Sequence, residues 1–378
     1  MHKKLLVGLS ILTSAVAGSA YALTFDRPIS SSVAVTETKP GLATPVTYTK
    51  PVYLMNIKLT PAERAQLLSY NPNKKSTQLV EQLSASLPSK VMLNMENMPV
   101  LDQGRHGSCV TFATTGAIDA VLNRGDYISQ TCNLTLGNYL ADKGADLPSG
   151  WDGSWGYIVL NQIFSFGYIT QDQQKTNSCG TLTDYPGNNE DNIGQPMTLD
   201  EFKKLHETNL ADNVMWQSVL NIFQRFDANP ADINTYDGTK VLTQVKQFLA
   251  TSAAKSDKSP VGVATFGTFI PVNYCAVGAC GRNQVKDDTW VITKGMKDID
   301  PYHDQDKLGG HEMIIIGYDD NAIAMDRDGV THRGLLILRN SWGSTAGDHG
   351  NYYMSYDFFK KFVIEVQFIY HPNLPVVH

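Results

Sequence analysis

Helical signals up to about residue 251 and strand-like runs from residue 261 onward predict an α+β fold, helices first and sheet second. The first observation is a run of small side chains. From Cys109, the residues Ala113, Gly116, Ala117, Ala120 and Val121 recur at helical spacing, which lets other elements approach closely and marks this helix as central. The second is a series of apolar stretches after residue 260, at 261–266, 290–293, 312–318, 335–339, 352–355 and 363–370. No internal repeat interrupts that order.

Composition narrows the class. The chain has 378 residues, 42% of them hydrophobic and 18% charged, which is enough to fill a core and excludes wholesale disorder. Its net charge of −6, without basic blocks, argues against nucleic-acid binding. Five cysteines are too few for a disulfide miniprotein. An enzyme or a binding module remains.

The first residues read as an address. Lys3 and Lys4 precede an apolar run over 5–18, and Ala20-Tyr21-Ala22 has the small–x–small form that a signal peptidase cleaves. Residues 1–22 are therefore expected to be a signal peptide, the alternative being a retained anchor. The mature protein is expected to be secreted or periplasmic, with no stable membrane insertion, in a compartment where disulfides form.

Residues 23–59 are rich in Thr, Ser, Val and Pro and read as extended chain. Thr60-Pro61-Ala62-Glu63 then signals a helix start, with a stop near Asn71-Pro72 and a second helix over 76–86, so that 60–86 reads as a helical hairpin. Further helices are expected over 199–208, 213–226 and 239–251. Asp326-Arg327-Asp328-Gly329 has a calcium-loop flavour but lacks the longer ligand spacing, so a hairpin turn is the preferred reading.

Five thiols in an exported chain leave one over if the others pair. Cys109 stands out, because a thiol at a helix start meets amide N–H groups and the positive end of the dipole, which favour the thiolate. A thiolate nucleophile needs a base and the base an orienting group. His311 follows Gly309-Gly310 at a strand entrance, and Asn340 ends a later strand. A hairpin turning at 326–329 brings Asn340 beside His311.

At these residues the chain resembles the papain-like cysteine peptidases. Gln103-Gly104, Gly107-Ser108-Cys109, Gly310-His311 and Asn340-Ser341-Trp342-Gly343 carry the likeness, in that family's order of Gln, Cys, His and Asn. The resemblance covers roughly residues 87–370 in outline. Cys109 and His311 lie 202 residues apart, beyond the family's usual ~130–150, and the excess is assigned to an insertion at about 180–238. The resemblance implies a two-lobed fold, helical lobe before β-rich lobe, and a peptidase domain over 87–378.

It also implies roles. Cys109 would attack a peptide carbonyl with His311 as its partner, Asn340 would orient His311, and Trp342 would shield their hydrogen bond. Gln103 and the Cys109 N–H would stabilise the oxyanion. Gly153, Ser154 and Trp155 would line the substrate cleft, with Gly310 leaving a neighbouring subsite open to bulky apolar side chains. The family's disulfide positions beside the nucleophile read His106 and Trp151 here, so that bridge is missing as a unit. A second family bridge would survive as Cys132–Cys179, which leaves Cys275 and Cys280 either to close a small loop or to remain free thiols.

The substrate would be a peptide or protein, with no cofactor or metal, and the protein is expected to be a monomer. Residues 23–86 stand where a propeptide would, without the family's long signature helix. They are read either as an inhibitory propeptide or as a permanent accessory segment. Two other functions stay open at this point: a non-catalytic binding module, and acyl transfer or deamidation on the same residues.

Overall fold

The computed structural model describes residues 26–37, 46–57, 87–144, 148–189, 191–220, 238–256, 258–275, 277–301 and 304–374. The expected signal peptide and the 60–86 helical hairpin lie outside them. The architecture is α+β, with helices preceding most of the sheet, as the order of signals implied.

Five helices lie between residues 109 and 205: α1 (Cys109–Leu122), α2 (Gln130–Asp142), α3 (Gly156–Phe166), α4 (Gln171–Asn177) and α5 (Leu199–Leu205). The central role expected for α1 holds, since every residue from Cys109 to Val121 is buried. Its small residues do what small residues permit: a Cβ on Gly116 would already touch Ile314 and Leu101 at 3.4 Å. The ends of the helices follow local chemistry. Ser129 caps α2 by accepting from the Cys132 amide, and Thr170 with Gln173 and Thr198 with Glu201 form capping boxes on α4 and α5. By contrast α1 has Ser108 at its N-cap without a side-chain cap bond, so its first-turn amides stay available.

The sheet is built from β4 (Met215–Leu220), β5 (Gly262–Pro271), β6 (Gly281–Arg282), β7 (Thr289–Trp290), β8 (Leu308–Asp326), β9 (Thr331–Arg339), β10 (Asn351–Ser355) and β11 (Val363–Tyr370), in the order β4-β11-β5-β8-β6-β7-β10-β9. The helix α6 (Gly238–Ala253) and the short α7 (Tyr356–Phe362) pack on it. β8 and β9 form the expected hairpin. Its turn is tied by Asp326, whose Oδ1 accepts from the Asp328 and Val330 amides at 2.9 and 2.8 Å, which accounts for the acidic residues without a cation.

One expectation fails. Residues 213–226 were read as a helix, yet 215–220 form β4, antiparallel to β11. Met215, Trp216, Val219 and Leu220 fit a helical stripe, but the open edge of β11 has backbone groups that need partners, and that tertiary demand wins.

The extended reading of 23–59 sharpens into a β-hairpin. β1 (Asp26–Glu37) and β2 (Val46–Asn56) pair antiparallel over most of their length. β2 reaches the main sheet at Met55, opposite Gly310, while β3 (Lys90–Met92) pairs with β8 at 317–319. Val52, Leu54, Met55 and Ile57 are buried in the main core, so this hairpin is packed into the body of the protein.

Candidate active site

The start of α1 and the entrance of β8 meet at the centre of the molecule. Cys109 is fully buried and is the free cysteine among the described residues; Cys132 pairs with Cys179 and Cys275 with Cys280. Three backbone N–H groups, those of Glu312, Val110 and Cys109 itself, lie against its sulfur and favour the thiolate. Burial outweighs them and pushes the thiol up to about 12.

His311 is also fully buried. Its Nε2 lies 2.8 Å from Oδ1 of Asn340, and that oxygen also accepts from the Ser341 amide at 2.7 Å. An amide oxygen can only accept, so Nε2 carries the proton and donates. Nδ1 is left without a hydrogen-bond partner, in the tautomer that can receive one. Trp342 stacks on the imidazole, centroids 4.6 Å apart at 20°, and covers one face of the ring. Burial pulls His311 down to about 4, partly offset by Asn340. Burial therefore disfavours the charged form of both groups in this closed arrangement.

Gln103 is held from four sides. Its backbone N–H donates to Ser341 O at 2.9 Å, and its Oε1 accepts from Ser341 Oγ at 2.7 Å. Its backbone carbonyl accepts from the Tyr185 hydroxyl at 2.8 Å. One Nε2 hydrogen goes to His106 O at 2.9 Å and the second reaches Tyr53 O at 3.3 Å. Tyr53 belongs to β2.

The hairpin therefore runs through the site. An added Cβ on Gly107 would strike the Asp152 carbonyl and come within 2.9 Å of Pro28 Cγ, so β1 lies beside the place where the loop before Cys109 meets the 152–155 segment. A Cβ on Gly310 would fall 2.2 Å from Ile57 Cδ1 and 3.0 Å from Met55 Cε: two apolar side chains fill the space beside His311. Lys50 reaches from β2 to the Trp342 carbonyl at 2.8 Å and to Asp102.

Gly153, Ser154 and Trp155 are buried and lead into α3. Trp155 packs in the main core, whereas Trp151 joins a smaller cluster. His106 and Trp151, which stand where the resemblance expects a disulfide, instead meet edge to face at 4.8 Å. Residues that the sequence did not bring forward are Tyr53, Tyr185, Glu312 and Glu365. Tyr185-Pro186-Gly187 carries a turn signal, but no local pattern says what that tyrosine touches.

Some solved structures are similar to this chain. Xylellain, a cysteine protease from Xylella fastidiosa, is 17% identical, over 78% of this chain and 90% of that one, with a TM-score of 0.46. The digestive procathepsin L 3 of Tenebrio molitor larval midgut is 13% identical, over 80% and 78%, at 0.40. The bromelain protease from Ananas comosus, solved with the E64 inhibitor, is 14% identical, over 75% and 99%, at 0.39. No family model matches the sequence, and no curated protein matches it.

Proposed function

We propose that the chain is an exported, papain-like cysteine peptidase, captured here with its own N-terminal hairpin in the cleft. The observation that carries this reading is the pairing of His311 with Asn340 at 2.8 Å, under the Trp342 ring, with Nδ1 unpartnered on the strand whose next amide lies against the Cys109 sulfur.

In the reaction, His311 Nδ1 takes the Cys109 proton and the thiolate attacks the peptide carbonyl carbon, forming the C–S bond. The carbonyl electrons move onto oxygen, where the Gln103 Nε2 hydrogen and the Cys109 N–H stabilise them; one such donor is worth about 3–4 kcal/mol of barrier. Collapse expels the amine, which leaves with the proton from His311, and an acyl-enzyme remains. Water, deprotonated by His311, attacks the thioester and returns the thiol. Asn340 keeps Nε2 protonated throughout, so that Nδ1 alone exchanges the proton.

Removing the hairpin would free the Gln103 hydrogen now spent on Tyr53 and let solvent reach the thiol and imidazole. Hydration lowers the first pKa and raises the second, towards the thiolate–imidazolium pair. Residues 23–86 thus act as an inhibitory propeptide. Two disulfides fit an oxidising destination, and among the described residues no helix is long and apolar enough to cross a membrane. The apolar side chains beside Gly310 suggest a matching preference in the substrate.

The test is a fluorogenic dipeptide panel, read with and without an epoxide thiol trap. Cleavage that the trap abolishes by labelling Cys109 is expected. No cleavage by either the full-length or the processed protein, with Cys109 unlabelled, overturns the reading.

A further inference from the structure

The loop from Gln103 to Ser108 precedes Cys109 and is gripped by residues 185–187. Tyr185 Oη donates to Gln103 O and, with its proton committed there, accepts from Ser108 Oγ, both at 2.8 Å. The Arg105 amide donates to Gly187 O at 2.8 Å. Gly104 sits at φ +57° under this contact, and a Cβ there would lie 2.1 Å from Gly187 O, so the approach needs glycine on both counts. The Tyr185 ring is itself fixed: it stacks on Trp151 at 5.9 Å and meets Phe112 and His106 edge-on at 4.8 and 5.5 Å.

The geometry points to Tyr185 as a positioning residue for Gln103: its hydroxyl fixes the carbonyl of the oxyanion-donor residue to the cap of the nucleophile's helix, so that acyl transfer depends on a side chain from outside that loop. This rests on the peptidase reading above. The chemistry is specific. Ser108 does not use its hydroxyl to cap α1; it spends it on Tyr185, and Tyr185 passes the constraint to Gln103. Ser341 Oγ on Oε1 and His106 O on one Nε2 hydrogen hold the side-chain amide, and the Tyr185 bond holds the backbone from which it hangs, so the aim of the other hydrogen depends on all three. Burial raises the Tyr185 pKa, so the hydroxyl stays a donor at any working pH.

Tyr185→Phe keeps the ring contacts and removes this link alone. The full-length protein is incubated with a fluorogenic dipeptide amide until the rate is steady, and rates are normalised to Cys109 titrated by iodoacetamide. Alkylation of a thiolate at an sp³ carbon develops no oxyanion, whereas amide hydrolysis does. For Tyr185→Phe, kcat is expected to fall about tenfold with KM within about twofold, and the alkylation rate constant to stay at the wild-type value. In a Gln103→Ala background the same substitution is expected to lose most of its effect, because it acts through the residue already removed. An unchanged kcat, an alkylation rate that falls in parallel, or full additivity with Gln103→Ala overturns the inference and leaves the peptidase reading standing. A wild type that neither cleaves nor is alkylated at Cys109 overturns both.

Discussion

The backbone carbonyl of Tyr53 accepts a hydrogen bond from Nε2 of Gln103 at 3.3 Å. In the proposed mechanism that donor belongs to the substrate's oxyanion, so a main-chain oxygen of the N-terminal hairpin takes the place of the reacting carbonyl. Two residues on, Met55 pairs with Gly310 next to His311. Under the proposed function, such main-chain pairing would block the site without requiring a particular side chain at Cys109.

The hairpin's hold can be loosened at one point. Lys50, mostly buried, bonds to the Trp342 carbonyl and pairs with Asp102. Lys50→Ala leaves both without their cation and should favour the hairpin-released state by about 1–3 kcal/mol. The full-length Lys50→Ala protein is then expected to react with the epoxide trap roughly tenfold faster than wild type. Equal labelling rates would show that the hairpin does not govern access to Cys109.

Asn340 gives a second handle. Its Oδ1 holds both His311 Nε2 and the Ser341 amide. Asn340→Ala removes the group that fixes the imidazole tautomer, so the tautomer with the wrong nitrogen protonated becomes populated and the ring loses its orientation. A kcat lower by about 10²-fold is expected, with unchanged labelling of Cys109 after long incubation. Retention of full kcat would refute the assigned role of the pair.

Much of this arrangement could be read in advance, and the reasons are physical. The stripe on α1, the strand runs and the turn at Asp326 depend on neighbours a few residues away, so periodicity and turn chemistry expose them. Cys109, His311 and Asn340 were legible because their residue types and order match one catalytic logic. Long-range partners were not. That Tyr185 meets Gln103, and that Glu312 and Glu365 flank Gly267, are facts about strands and loops meeting from distant parts of the chain. The misread helix at 215–220 has the same cause: an open sheet edge, invisible locally, decided the backbone.

The two disulfides should contribute unequally. Cys132–Cys179 closes a separation of 47 residues, Cys275–Cys280 only 5. On the loop-entropy account the first is worth about 4 kcal/mol and the second about 2. Urea unfolding of Cys179→Ser and Cys280→Ser separately is expected to reveal that order. Cys179 is also buried against Cys132, Leu136 and Phe202, which adds a packing loss in the same direction. A larger loss at the short loop would reject the account.

Two buried carboxyls meet across β5. Glu312 on β8 and Glu365 on β11 both pair with Gly267 of the strand between them, and both are fully buried. A Cβ on Gly267 would come within 2.9 Å of each side chain. Glu365 accepts from the Gly156 amide at 2.9 Å and from Gln367 Nε2 at 2.6 Å, so it is the better anion. Burial and the neighbouring Glu365 carboxylate push Glu312 well above its usual range, and burial raises Glu365 to about 7. With folded values above unfolded ones, the native state binds more protons, so the stability they contribute is complete below pH 4.5 and is lost as pH rises through about 7. Asp119, raised by burial to about 8, acts in the same direction, and His311, lowered to about 4, acts oppositely between pH 6.5 and 4. Glu312→Gln isolates the pair, because it removes one of the two titrating groups and keeps the shape of the side chain. Relative to wild type, the variant should gain about 1 kcal/mol or more between pH 5 and pH 8, read by thermal unfolding at the two pH values. A constant difference between the two proteins would mean that no proton is shared there.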